Sequence, residues 1–291
     1  MTTVTTNTQP SLKIPKPIKI TAHILERTSP RMMIKFATKL FSTPIKYPTP
    51  KREEKMLEGC VLHQVYSKSL DKKIVVYDYM NPDSKKIALL VHGWSGRGTQ
   101  LFKIADMLVK EGYRVMSFDG PAHGKSEGKT SNMKEFIETI KTVSEVYGPF
   151  EVIIGHSLGA MSTLNAVADG VAAKKIICVG AADVIYDIFD DFIEKLELDK
   201  KYTPLLYANM ERKLKVKMDV YSSSIAAKKI DIPTLIIHDH DDQDVPISAA
   251  RHIVPALKKG RLIETHNLGH RKILGDAQVI QQMNQFLNEV D

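Results

Sequence analysis

The sequence predicts an α/β fold: a mostly parallel central sheet with helices on both faces and an inserted helical cap. Three observations predict it. Between residues 87 and 179, apolar runs of strand length alternate with stretches of helical period, as in a parallel sheet built from crossover units. Gly155-His156-Ser157-Leu158-Gly159 stands between an apolar run over 150–154 and a helix-forming run, which makes a strand, a sharp turn and a helix. The alternation breaks off over 182–231 and then resumes, so that stretch reads as an insertion into the sheet domain.

Taken in order, the first 20 residues are rich in Thr and Pro, and Pro10, Pro15 and Pro17 predict a flexible or extended arm. After the capping pair Ser29-Pro30, Met32, Met33, Phe36, Ala37, Leu40 and Phe41 recur at helical spacing with Arg31, Lys35 and Lys39 between them. This is a short basic amphipathic helix, and one of this length is expected to dock its apolar side on its own domain rather than on a membrane. Residues 43–51 hold three prolines and read as a linker. The chain thus divides into a basic N-terminal extension over 1–58 and a single large domain over 59–291.

In that domain, runs over 61–66 and 73–79 read as an antiparallel pair of strands. Further strands are expected over 87–92, 114–119, 151–154 and 175–179, with helices near 99–110, 133–147 and 158–168. The insertion, about 183–230, carries a wide apolar stripe from Val184 to Leu196, with Asp187, Asp190, Asp191 and Glu194 on the other face, and reads as a helical cap. The stripe is wider than one packing contact needs, so part of it is expected to face a substrate. A strand over 233–238, a helix near 247–258, a strand over 261–265 and a last helix near 273–290 complete the chain.

The 291 residues, 43% of them hydrophobic, suffice for a full core. No run approaches the roughly 18 apolar residues of a membrane span, and residues 1–10 lack the apolar core of a signal peptide, which predicts a soluble, cytoplasmic protein. Cys60 and Cys178 imply no disulfide framework. The net charge of +7 is localised: residues 1–60 hold 11 Lys and Arg against 4 Glu, and the remainder balances 30 basic against 30 acidic groups. A basic segment on a neutral body argues against a nucleic-acid groove; it reads first as a solvated positive face, and second as a peripheral contact with anionic lipid. Oligomeric state has no signature in the sequence.

A serine hydroxyl becomes a nucleophile only when a base takes its proton, and the base needs a carboxylate to orient it. Gly155 and Gly159 leave room for the strained turn that would expose Ser157, and the following helix aims its first N–H groups at the same spot. The loop after 233–238 offers Asp239, Asp241, Asp242 and Asp244, and Asn267-Leu268-Gly269-His270 places an imidazole after the last strand. In a parallel sheet these loops share the carboxyl edge.

Four pieces in order complete the pattern: Val91-His92-Gly93-Trp94, the run from Phe118-Asp119-Gly120 to Ser126, the Gly155–Gly159 turn, and the acid and histidine loops. Over about 61–291 the chain resembles the α/β-hydrolase superfamily. The resemblance implies Ser157 as nucleophile, His270 as base and Asp242 as acid, with Asp244 as the second choice. It implies an oxyanion hole from the backbone N–H groups of Trp94 and Leu158. Asp239 departs from the family, which usually has glycine there. His92 and His123 belong to loop motifs where they brace a turn, and His156 and His266 flank catalytic positions without a required role. A metal cluster of His238, Asp239, His240 and Asp242 is disfavoured, because consecutive residues on one loop point different ways.

No cofactor or metal is expected. The implied activity is hydrolysis of a small-molecule ester or thioester through an acyl-enzyme. Serine at the turn separates the chain from epoxide hydrolases and haloalkane dehalogenases, which carry aspartate there. Acyl transfer, amide or C–C cleavage, and a non-catalytic ligand-binding member of the fold remain the alternatives.

Overall fold

The structure, a computed structural model, describes residues 14–289. Residues 1–13 of the arm expected over 1–20, and the last expected helical residue, 290, lie outside the described residues.

Each apolar run becomes a strand: β1 (Cys60–Ser67), β2 (Lys72–Tyr79), β3 (Ile87–Val91), β4 (Arg114–Phe118), β5 (Phe150–His156), β6 (Ala173–Val179), β7 (Thr234–Asp239) and β8 (Gly260–Thr265). They form one sheet in the order β1-β2-β4-β3-β5-β6-β7-β8. The β1–β2 and β2–β4 pairs are antiparallel and the remaining pairs parallel. From β3 the chain winds outward to β4 on one side, and from β5 through β8 on the other. The two windings part between β3 and β5, where a crevice opens at the carboxyl ends of the strands.

Among the described residues, twelve α-helices surround the sheet. The extension forms α1 (Lys16–Thr28), α2 (Pro30–Phe41) and α3 (Lys51–Glu58). The sheet domain carries α4 (Phe102–Lys110), α5 (Met133–Tyr147) and α6 (Leu158–Ala168). Between β6 and β7 lie α7 (Ile185–Lys195), α8 (Thr203–Leu214) and α9 (Ser223–Ala227), followed later by α10 (Ser248–Ile253), α11 (Gly269–Lys272) and α12 (Ala277–Asn288). Alternation sorts the strand residues between two cores. Leu89 and Val91 join one with Phe136 and Ile140 of α5, whereas Ala88 and Leu90 join another with Ile104 of α4 and Met283 of α12. No helix among the described residues is long and apolar enough to cross a membrane.

The extension corrects the sequence reading. Where one short helix was expected, three form among the described residues. Pro15 and Pro17 do not prevent α1: Pro15 is its N-cap and Pro17 lies in its first turn, where a backbone N–H has no intrahelical partner to lose. In the same way α3 starts directly after Pro50, its N-cap.

In α2, Ser29 Oγ accepts from Met32 N at 3.4 Å, and the helix is seated on the body of the protein. Met33 and Ala37 are fully buried, while Met32 on the opposite side is 58% exposed. Its partner is the insertion: Asn209 Nδ2 of α8 donates to Thr38 Oγ1 (2.8 Å), and the Phe41 ring stacks on Phe189 of α7 with centroids 4.5 Å apart. The apolar stripe of α7 is buried at Ile185, Phe189, Phe192 and Ile193.

Burial on one face of α2 gives a differential expectation. Met33→Ala should lower the unfolding free energy by about 2–5 kcal/mol, and Met32→Ala should change it by less than about 0.5 kcal/mol. Urea unfolding of the two variants beside the parent protein checks this, and equal effects would contradict the docked geometry.

Candidate active site

β5 hands over to α6 at Ser157, whose backbone stands at φ 54° and ψ −121°. For a residue with a side chain this conformation costs on the order of 1–3 kcal/mol, so the surroundings must impose it. They do so from both sides. Ser157 N donates to Val179 O at 2.9 Å, extending the β5–β6 ladder by one step, and Ser157 O accepts from Ala160 N (3.0 Å) and Met161 N (3.1 Å). A Cβ on Gly155 would lie 2.6 Å from Ala160 Cα, and one on Gly159 would overlap the carbonyl oxygens of Val91 and His92. Both glycines are therefore needed for α6 to sit against β5 and β3.

The loop after β3 runs beside this turn: a Cβ on Gly93 would lie 3.1 Å from Ser157 Cβ. Neutral side chains hold the loop. His92 accepts from Gly120 N at Nε2 (2.9 Å) and donates from Nδ1 to Gly93 O (2.7 Å). His123 accepts from Ser95 N (3.1 Å) and donates to Pro121 O (2.9 Å). Burial pushes the His92 imidazole down to about 4. Burial, with His92 beside it, pushes His123 down to about 3, so both rings stay uncharged braces. Gly93 N is taken by Gln100 Oε1 at 3.0 Å. The N–H groups of Trp94 and Leu158, by contrast, donate to no acceptor among the described residues.

The loops after β7 and β8 bring Asp242 and His270 together. His270 Nδ1 donates to Asp242 Oδ2 at 2.6 Å, which leaves Nε2 as the ring's acceptor. Asp242 Oδ1 accepts from Asp244 N (2.8 Å) and Val245 N (2.9 Å). Burial alone would raise the Asp242 carboxyl, but the hydrogen bond and charge of His270, with the two amides, hold it below its ordinary value. Asp244 lines the same cavity, with its Oδ1 3.7 Å from Lys195 Nζ at the end of α7, but His270 Nδ1 bonds to Asp242. Ser157 lines the same cavity as Asp242 and His270, without a hydrogen bond between its hydroxyl and the imidazole.

Several residues with no assigned part in the sequence reading hold this arrangement. Asp239, unusual by the family pattern, is a clasp. Its Oδ1 accepts from Asp241 N (2.9 Å) and Gly269 N (2.9 Å), and its Oδ2 from Thr265 Oγ1 (2.7 Å) and Leu268 N (3.1 Å). It thereby ties the acid loop to the histidine loop, and although burial opposes it, these bonds hold its carboxyl below the ordinary value. His156 donates from Nε2 to the His270 carbonyl oxygen at 2.9 Å, and burial, with His270 nearby, pushes its ring down to about 3. Gly180, at φ 59°, lies under the His270 ring, where a Cβ would come within 3.2 Å of two ring atoms. A glycine directly after a parallel strand was the available signal.

A metal has little to hold here. Asp242, Asp244 and His270 offer atoms within 4.8 Å of one another, but Asp242 and His270 are bonded to each other and both Asp242 oxygens are occupied. Of the loop residues weighed from the sequence, His238 donates to Val245 O (2.9 Å) and His240 bonds Glu264 Oε2 (2.7 Å), so they face apart.

The cavity over Ser157 measures about 1530 Å³, above the roughly 300–1,000 Å³ of ordinary small-molecule sites. Its walls include Phe189 and Phe192 of α7 and Met161 of α6. At another edge the buried Asp183 accepts from Ser224 N (2.7 Å) and pairs with His252, bracing the start of the insertion against α9 and α10.

Residues 82–218 match the family model for serine aminopeptidase, S33. A non-heme haloperoxidase of Rhodococcus erythropolis is 25% identical over 241 residues, 66% of this chain and 88% of that protein. An esterase of Pyrococcus furiosus superposes with a TM-score of 0.66 at 18% identity, over 84% of this chain and 98% of its own. An esterase of Exiguobacterium antarcticum gives 0.62 at 18% identity, over 79% of this chain and 100% of its own. The two solved structures share the fold of this chain.

The clasp has a pH signature. Asp239 and Asp242 sit below their ordinary values when folded, so the stability they lend is present above the ordinary carboxylate range and is lost as pH falls through their folded values. Asp239→Asn should cost about 1–3 kcal/mol at neutral pH and make the acid loss of stability shallower. Urea melts at stepped pH read both, and an acid limb as steep as in the parent protein would remove Asp239 from this role.

Proposed function

We propose that this chain, which belongs to the α/β-hydrolase superfamily, is a serine hydrolase that cleaves a carboxylic ester or thioester through an acyl-enzyme on Ser157. The observation that carries the reading is the 2.6 Å bond from His270 Nδ1 to Asp242, in the same cavity as a serine held in a left-handed turn. His270 Nε2 takes the Ser157 proton as Oγ attacks the substrate carbonyl, and Asp242 orients the ring and offsets its charge. The oxyanion is received by the N–H groups of Trp94 and Leu158, which have no protein acceptor among the described residues. The imidazolium then protonates the leaving alkoxide or thiolate. Water, activated by the same histidine, releases the acid and restores the serine.

The missing hydrogen bond between Ser157 and His270 is compatible with this reading, because such contacts often tighten only when substrate is bound. Asp242 is preferred over Asp244 as the acid, since Asp242 accepts the hydrogen bond from His270 Nδ1. The steps need no cofactor. α7 to α9 act as the cap, whose apolar stripe points to an apolar acyl group, and the substrate is a small molecule reached from a cytoplasmic setting.

A fluorophosphonate probe should label the parent protein at Ser157, and Ser157→Ala should lose both labelling and ester hydrolysis. Labelling that survives the substitution would sink the assignment. Asp242→Asn should lower kcat by about four orders of magnitude, while Asp244→Asn should cost far less. The reverse ranking, measured on p-nitrophenyl butyrate, would move the acid to Asp244.

A further inference from the structure

We infer that the N-terminal extension builds the far wall of the acyl site, and that the space between it and α7 receives a long unbranched acyl chain. The inference rests on the reading of Ser157 as the residue that is acylated, and it names the substrate class of that site. The cap alone does not enclose the cavity. Ile18 of α1 and Leu40 and Phe41 of α2 line it together with Ile188, Phe189 and Phe192 of α7. Phe41 joins the two walls, stacked on Phe189 and edge-on to Phe192 with centroids 5.1 Å apart.

The segment that follows α2 is fastened to the sheet domain at both ends. Ser131 N donates to Ser42 O at 2.8 Å, and Thr99 Oγ1 donates to the buried Glu53 at 2.7 Å. Between these points Ile45 N donates to Ser95 Oγ (3.0 Å), next to Trp94, and Arg97 Nη1 donates to Thr49 Oγ1 (3.1 Å). The extension therefore lines the cavity and is bonded to the loop beside Ser157. A volume of about 1530 Å³ exceeds what a short acyl group needs, and the facing side chains, isoleucine, leucine and phenylalanine, offer a methylene chain dispersion contact and no hydrogen bond.

The test uses the full chain, Ile18→Trp and Leu40→Trp, two substitutions that push an indole into the far end of the site. For p-nitrophenyl acetate, butyrate, octanoate and palmitate, kcat/KM in the parent protein should rise with chain length to octanoate or beyond. Each variant should move the optimum to a shorter chain and lower the palmitate-to-butyrate ratio about tenfold. A role in folding alone would lower all four esters together and leave the ratio unchanged.

The same proteins carrying Ser157→Ala are titrated with the fluorescent fatty acid cis-parinaric acid, which reads the site without catalysis. Its Kd should rise about tenfold in both variants. If Ser157 proves not to be acylated, the ester arm is silent while the binding arm still reports on the site. Unchanged ratios and unchanged Kd in both variants, or a parent protein that prefers acetate, would overturn the inference.

Discussion

The close approach of α6 to the carboxyl ends of β3 and β5 is the constraint on which the candidate site depends. It is possible only because Gly155 and Gly159 have no side chains, and Gly93 lets the loop after β3 come equally close from the other side. The strain at Ser157 follows from this packing rather than from anything local to the serine. A chain that must turn from a buried strand into a helix lying on that strand has few backbone states open to it. Because β3 and β5 are the strands at which the winding reverses, the packed turn also lies at the mouth of the only crevice the topology itself creates among the described strands.

Polar groups then hold the loops around that turn without adding charge to it. His92, His123 and His156 are buried, each is kept neutral by burial, and each donates one ring N–H to a backbone carbonyl. The negative charge lies on Asp239 and Asp242, each fixed by several donors. Asp239 contributes through geometry: four hydrogen bonds tie the loop of Asp242 to the loop of His270, so the two partners keep their spacing.

Much of this was legible in the sequence because it depends on short-range patterns. Eight apolar runs, glycines two residues either side of Ser157 and a histidine after the last strand are local signals, and each strand appears within a few residues of its expected span. The extension was less legible. Pro15 and Pro17 read as helix breakers, yet prolines at a helix start are permissive, and only the position of the first turn separates the two cases. Asp239 looked like a departure from a glycine, since its four donors come from residues up to 30 positions away and leave no periodic trace. The choice between Asp242 and Asp244 likewise depended on which of two neighbouring carboxylates accepts the His270 hydrogen bond.

The extension shows how a segment remote from the chemistry in sequence can belong to it in space. The extension over 1–58, where the net charge of the protein lies, buries Ala22, Met33, Ala37 and Met56, and α1 and α2 contribute Ile18, Leu40 and Phe41 to the lining of the cavity over Ser157. Phe41 packed on Phe189 and Phe192 of α7, with Thr38 bonded to Asn209 of α8, gives the insertion a fixed partner, so the height of the cavity roof is set by that contact. Packed interiors yield little. A substitution at the seam between α2 and α7 therefore shifts a wall of the cavity while leaving Ser157, Asp242 and His270 in place, because the loops that carry them are fastened to the sheet by separate bonds.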